Sequence, residues 1–417
     1  MSGGSRPSPA SAHPMHALGV ALVVAAAASL HACRATSDFH LHGPPASVAV
    51  FPRDTSITEG GSFTLRTTVL DAQGDALRDE PPTFTSTDTT VLVVSTGGVV
   101  TGVGGGSAAI RVAAGNAVNG ALVSVADTTI IAELTLLPQP FDVGIGPLGA
   151  YVTTLTAVVP LDLATLTLGQ AAAGVSGTPV HVVFDSAGDR AYVSNEALLG
   201  VSVVDVVANA QVDTIHTNNV AVPLGVIGGA LFVGTTSDFL FRIDLATKLA
   251  TDSTPLRGTA YHLLVDPPDA TVFATTWDPY DGTTGDVLVV NGVTMAVVRS
   301  IHVGGNPEAM VLSPDRQMVY VANASVPYLV GIAVASGAAT DTIRLFAPAF
   351  GLAISSDGAR LYAGLADSGR VEVIDRATRT RVRLIAVGGT PREVRYDAAH
   401  ARVLVANEGG WLDVLRP

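Results

Sequence analysis

The sequence predicts an all-β protein in two parts, and three observations carry the prediction. Only 14% of the 417 residues are charged, while Val, Ala, Gly and Thr abound, a balance suited to strands and tight turns rather than to disorder. Beyond the N-terminal segment, Gly, Pro, Asp or Thr interrupts every apolar run, so no later stretch is long enough to cross a bilayer. From about residue 128 the chain repeats itself. One landmark recurs at Tyr151, Tyr192, Phe232, Phe273, Tyr320, Tyr362 and Leu404, with spacings of 41, 40, 41, 47, 42 and 42 residues. A period near 40 built from short alternating strands predicts a β-propeller with one four-stranded blade per copy, so seven copies predict seven blades.

At the N-terminus, residues 1–16 carry Arg6 and no acid, and residues 17–30 form an unbroken apolar or small run. That run is too short to serve as a mature spanning helix and has the form of an export signal. It ends at Leu30-His31-Ala32-Cys33, which resembles the lipobox of bacterial lipoproteins, although His31 departs from the small or β-branched residue usual there. The resemblance implies that residues 1–32 are a signal peptide and that Cys33 is lipidated. It also implies a lipid-anchored protein of the cell envelope, and Arg34, where an acid would signal retention at the inner membrane, points to the outer membrane or cell surface. Cys33 is the sole cysteine, so no intramolecular disulfide is possible. Residues 33–46 have no periodicity and read as a flexible tether, His40 and His42 included.

Residues 47–127 contain about seven short strands. Val48–Phe51 alternates before Pro52, as an edge strand does. Runs at residues 63–69, 84–88, 91–95, 98–101, 108–113 and 121–125 follow, with turns at Glu59-Gly60 and 71–74. This spacing predicts a β-sandwich. Val69-x-Asp71, Phe84-x-Ser86-x-Asp88 and Gly98-Val99-Val100-Thr101-Gly102 resemble the group 2 bacterial immunoglobulin-like domain, with Phe84 where that family usually has tryptophan. No aromatic or charged cluster marks a binding face, so this Ig-like domain is expected to be a spacer.

Within residues 128–417, Tyr192-Val-Ser-Asn195 and Tyr320-Val-Ala-Asn323, with Val-Ser-Val-Val-Asp205 after the first, resemble the YVTN-type propeller repeat of many bacterial envelope proteins. The resemblance implies a propeller whose relatives include binding proteins, scaffolds and a few lactonases and lyases. The last copy contains three strands, and residues 129–136 match the fourth strands of other copies. Pairing 129–136 with 411–416 would cover an exposed edge, so the domain is expected to begin and end in one blade. Asp162, Asp205, Asp244 and Asp375 end third strands, where a carboxylate caps turn amides.

Function is expected where loops vary on a rigid frame. Two residues after each repeated proline or its equivalent stand Asp142, His181, Gly225, His262, Ala309, Phe350 and Glu393, a ring round the channel if the blades superpose. The copy around blade 4 is longer by an insertion carrying Trp277, Asp278, Tyr280 and Asp281 on the same face. Asp142, His181, His262, Glu393, Trp277, Asp278, Tyr280 and Asp281 are therefore the candidate binding residues. Asp142, His181, His262 and Glu393 also have the ligand chemistry of a divalent metal site, though no cofactor is expected. Net charge is −13, and the basic cluster Arg376, Arg379, Arg381 and Arg383 alternates along one strand as a solvated face, so nucleic acid is excluded as a partner. No nucleophile-elbow motif, phosphate loop or redox cysteine is present. The expectation is a monomeric envelope lipoprotein whose propeller is a non-catalytic binding or scaffold module for an envelope protein, a glycan or a small ligand. The alternative is a channel-mouth enzyme of lactonase or lyase type, or a metal-binding propeller.

Overall fold

The computed structural model describes residues 43–126, 129–136, 138–277 and 285–417. Cys33 and its lipobox, and Asp278, Tyr280 and Asp281, lie outside the described residues. Among those described, no helix is long and apolar enough to cross a membrane.

Residues 47–126 form nine strands in sheets of two, four and three. The sequence reading missed Asp54–Thr58, a strand with no buried residue that pairs in parallel with Ala117–Ala126. It also merged Ser62–Thr64 and Arg66–Leu70, which join different sheets. Alternation elsewhere is faithful: Val48, Val50, Leu92, Ile110, Val112, Val123 and Val125 point into one core, and Phe84 packs on it.

The repeat forms seven four-stranded antiparallel sheets, which are the blades. The innermost strands are Pro140–Gly146, Pro179–Phe184, Ala221–Ile227, Thr259–Asp266, Pro307–Leu312, Gly351–Ile354 and Pro391–Asp397. Each contacts the next in order, and the seventh returns to the first. In blade 7, Ile130–Thr135 pairs antiparallel with Trp411–Leu415 and supplies the outer strand. Seven apolar clusters fill the joints, each drawn from two adjacent blades. The landmark residue explains itself here. Tyr151, Tyr192, Phe232, Phe273, Tyr320, Tyr362 and Leu404 each reach into the joint with the following blade. Burying such a side chain contributes about 2–3 kcal/mol, so a ring of seven needs one in every copy.

Two polar devices hold the loops. Asp162, Asp205, Asp244 and Asp375 accept backbone N–H bonds at 2.7–2.9 Å from the turn that follows them. The backbone N–H of Thr165, Thr247 and Thr378 accordingly holds the carboxyls of Asp162, Asp244 and Asp375 below the usual range. On the opposite face, Asn195, Asn323 and Asn407 end second strands and are fully buried. Oδ1 of each accepts from the backbone N–H of Thr178, Asn306 or Thr390, and Nδ2 donates to the carbonyl of Ser176, Gly304 or Gly388. The asparagine of the repeat thus pins the segment leading into the innermost strand. Gly305 and Gly389 lie beneath it with φ of 54° and 49°, where a side chain would strike the amide.

Blade 6 carries the small sheet domain. Nη2 of Arg370 lies 3.3 Å from Asp88, and its Nη1 donates to Thr90 at 3.0 Å. Arg383 pairs with Glu59 at 3.0 Å and donates to Thr129 at 2.6 Å. The arginine run is therefore less solvated than its pattern implies. Arg376 and Arg379 pair with Asp315 and Asp341, and Arg381 lies over the Phe346 ring.

Candidate functional site

Strand register decides which residues meet in the channel. Opposite the landmark stand Gly144, Val183, Gly225, Leu264, Val311, Ala353 and Arg395. Two positions earlier are Asp142, His181, Pro223, His262, Ala309, Gly351 and Glu393. The ring read from sequence therefore slips in two blades: Ala221 and Ala349, not Pro223 and Pro348, occupy the position of the repeated proline. Gly225 lies two residues deeper than expected, and Phe350 one residue nearer the mouth. The prolines misled because these two are not the repeated one: Pro223 lies inside its strand two residues past Ala221, and Pro348 lies before its strand begins.

Around the mouth lies a cavity of about 340 Å³. One residue from every blade lines it: Phe141, Val180, Val222, Tyr261, Glu308, Phe350 and Arg392. His181, His262 and Glu393 line its floor. Trp277 stands beside it with its ring stacked on Tyr261, centroids 4.6 Å apart. Arg392 lies over the faces of Phe141 and Phe350 and pairs with Glu408 at 2.6 Å. Below the floor lies a second chamber of about 440 Å³, lined mainly by apolar side chains together with Arg395 and His262, so that His262 lines both spaces.

Asp142, His181 and Glu393 come together across blades 7, 1 and 2 through a residue absent from the sequence reading. Arg395 ion-pairs with Glu393, reaches Asp142 at 3.1 Å and donates Nε–H to the Val143 carbonyl at 3.2 Å. Asp142, only 2% exposed, accepts from the Val182 N–H at 3.2 Å, and its Oδ2 lies 3.3 Å from Nδ1 of His181. Burial opposes ionisation of Asp142, but Arg395, His181 and the Val182 amide outweigh it and hold the carboxyl well below the usual range. Burial prevails at Glu393, which is pushed up to about 7 despite Arg395. Arg395 was visible in principle, since its register holds only glycine or apolar residues in the other six blades.

These contacts do not assemble a metal site. Among the described residues no three His, Cys, Asp or Glu side chains are placed to hold an ion. Asp142 is committed to Arg395 and the next blade, Glu393 to Arg395, and His262 stands across the channel on blade 4.

His262 is the unusual member. It is 7% exposed, and burial holds its imidazole neutral, down to about 3. Its Nδ1 is buried without a partner among the described residues. Burying such an atom costs about 1–3 kcal/mol unless something satisfies it. Glu308, also missed, stands one residue nearer the mouth than Ala309, and burial pushes its carboxyl up to about 7 against the pull of Arg392 and His181.

No known protein family matches the chain, and no curated protein is similar to it in sequence. Solved structures are similar in fold. Hydrazine synthase of Kuenenia stuttgartiensis superposes with a TM-score of 0.61 at 18% identity, over 67% of this chain and 96% of that one. A chain of the mitotic checkpoint complex gives 0.62 at 12% identity, over 70% and 92%. At such identities the likeness establishes the architecture alone: the chain is similar to β-propellers.

Proposed function

We propose that the protein is a lipid-anchored component of the cell envelope whose propeller binds a small ligand at the channel mouth, with the N-terminal sheet domain, of immunoglobulin-like type, as a spacer. The observation that supports binding is the cavity itself. All seven blades contribute to its wall, its lining mixes aromatic and ionisable groups, and a buried imidazole nitrogen beneath it has no partner. Anchoring rests on the lipobox-like Leu30–Cys33.

Val222 lines the mouth, and its apolar side chain takes no part in the polar network, so Val222→Trp fills the cavity while sparing Arg395 and its partners. In a thermal-shift screen of small metabolites and envelope oligosaccharides, compounds that raise the melting temperature of the full chain are expected to lose their effect on Val222→Trp. Equal shifts in both proteins, or none, would refute the mouth as a binding site. For the anchor, a fatty-acid probe is expected to label the wild type in cells and to miss Cys33→Ala; equal labelling would remove it.

A further inference from the structure

The chemistry of the mouth selects among ligands. Three carboxyl side chains line it, those of Glu196, Glu308 and Glu393. Of the nearby arginines, Arg392 is committed to Glu408 and two phenylalanine rings, and Arg395 to Glu393 and Asp142. That leaves Glu196 and Glu308 without an ion-pair partner among the described residues, and of the two Glu308 is the more buried. Beside these acids stands His262, which lines the same space and whose Nδ1 is buried without a partner among the described residues. A neutral imidazole whose Nδ1 carries no proton accepts a hydrogen bond there, and Glu308 has no cation paired with it. An anion would meet three acids and no free base.

We propose that the channel mouth takes a small organic cation bearing a primary ammonium group, held by Glu308, with His262 Nδ1 accepting one of its N–H bonds. The inference rests on the binding role of the mouth and names the ligand class. Tyr261, Phe141 and Phe350 supply the apolar and aromatic wall against which the carbon frame of such an amine packs.

Proton linkage gives the proposal its signature. Arg392, His181 and Glu393 face Glu308, while Arg395, Asp142, His181 and Arg392 face Glu393, and burial keeps both carboxyls protonated up to about 7. An ammonium group binds ionised Glu308, so affinity rises with pH through neutrality. If one carboxyl must ionise, binding is about tenfold tighter at pH 8 than at pH 6.

The test is calorimetric titration of the full chain with n-butylammonium and 1,4-diaminobutane, which are protonated at both pH values. Butyrate, 1-butanol and a neutral disaccharide serve as comparators. The amines are expected to bind, about tenfold more tightly at pH 8. Glu308→Gln is expected to weaken them at least tenfold and to remove most of the pH dependence; Glu308→Ala repeats the test should the first variant fail to fold. Nonspecific attraction to a chain of net charge −13 would survive Val222→Trp, whereas binding in the mouth would not. Amines that fail to bind, bind Glu308→Gln equally well, or bind no tighter at pH 8 would overturn the proposal. If the disaccharide binds instead and is lost in Val222→Trp, the mouth remains a binding site and only the ligand class falls. If none of these compounds binds, the ligand class falls, and the binding role falls with it only if the wider screen of metabolites and oligosaccharides is also empty.

Discussion

At the scale of single residues, the polar side chains of this propeller divide into those that hold loops and those whose ionisation the fold resists. The repeated aspartates and asparagines belong to the first group, for each satisfies backbone groups that water would otherwise reach. Asp413 belongs to the second. It is fully buried on the third strand of blade 7, where Oδ2 accepts from Asn407 and Trp411 at 3.1 and 3.0 Å while Oδ1 has no partner among the described residues. Burial, reinforced by Glu133, raises its carboxyl to about 7 against those two hydrogen bonds. The native state therefore keeps a proton that the unfolded chain releases above its ordinary value of 3.8. Its contribution to stability falls as pH rises through that window and is flat above it. Asp413→Asn removes the ionisation. Relative to wild type, the variant is expected to gain on the order of 2–4 kcal/mol between pH 4 and pH 8 in denaturant melts. A difference that does not change with pH would show that Asp413 ionises freely.

At the scale of the element, ring closure is the decisive device. Ile130–Thr135 covers the Trp411–Leu415 edge, and Arg416 N–H bonds the Thr129 carbonyl at 2.7 Å. The strand also carries Leu134 and Ala132 to the cluster between blades 7 and 1 and Ile130 to that between blades 6 and 7. Its loss would both expose a strand edge and open two joints. Deleting 130–135 is expected to cause aggregation and abolish a single cooperative unfolding transition, read by light scattering and circular dichroism. A soluble monomer with an unchanged melting temperature would show that the ring closes without it.

At the scale of the molecule, the contacts of the N-terminal sheet domain with blade 6 include two ion pairs, Arg370 with Asp88 and Arg383 with Glu59, and a hydrogen bond from Arg370 to Thr90. At Asp88, burial opposes ionisation, but Thr90 and Arg370 together hold the carboxyl below its usual range. Partly exposed pairs of this kind each contribute about 1 kcal/mol or less, and salt weakens them. The Arg370→Ala, Arg383→Ala double variant is expected to leave the propeller's melting nearly unchanged while the sheet domain melts separately in calorimetry. High salt should have the same effect on wild type. One unaltered joint transition would mean that apolar packing, not these ions, couples the two parts.

How much was legible in the sequence follows from these scales. Strands, turns and the seven-fold repeat are local: alternation, turn chemistry and a landmark that must fill every joint are written within each copy. The acids that cap turns and the strand that completes blade 7 were readable for the same reason. What pairs across the channel was not. Asp142, His181, His262 and Glu393 were found because each stands at one repeated position, but their partner Arg395 lies on another register, and Glu308 one residue away from the ring considered. Pro223 and Pro348 stand at other positions than the repeated proline, which put Gly225 and Phe350 in the wrong layer. Periodicity along the chain determines the blades, because their contacts are between neighbours in sequence. Only the closed ring decides which side chains share a cavity, because burial and charge pairing there join residues more than 250 positions apart, as Arg395 and Asp142 are.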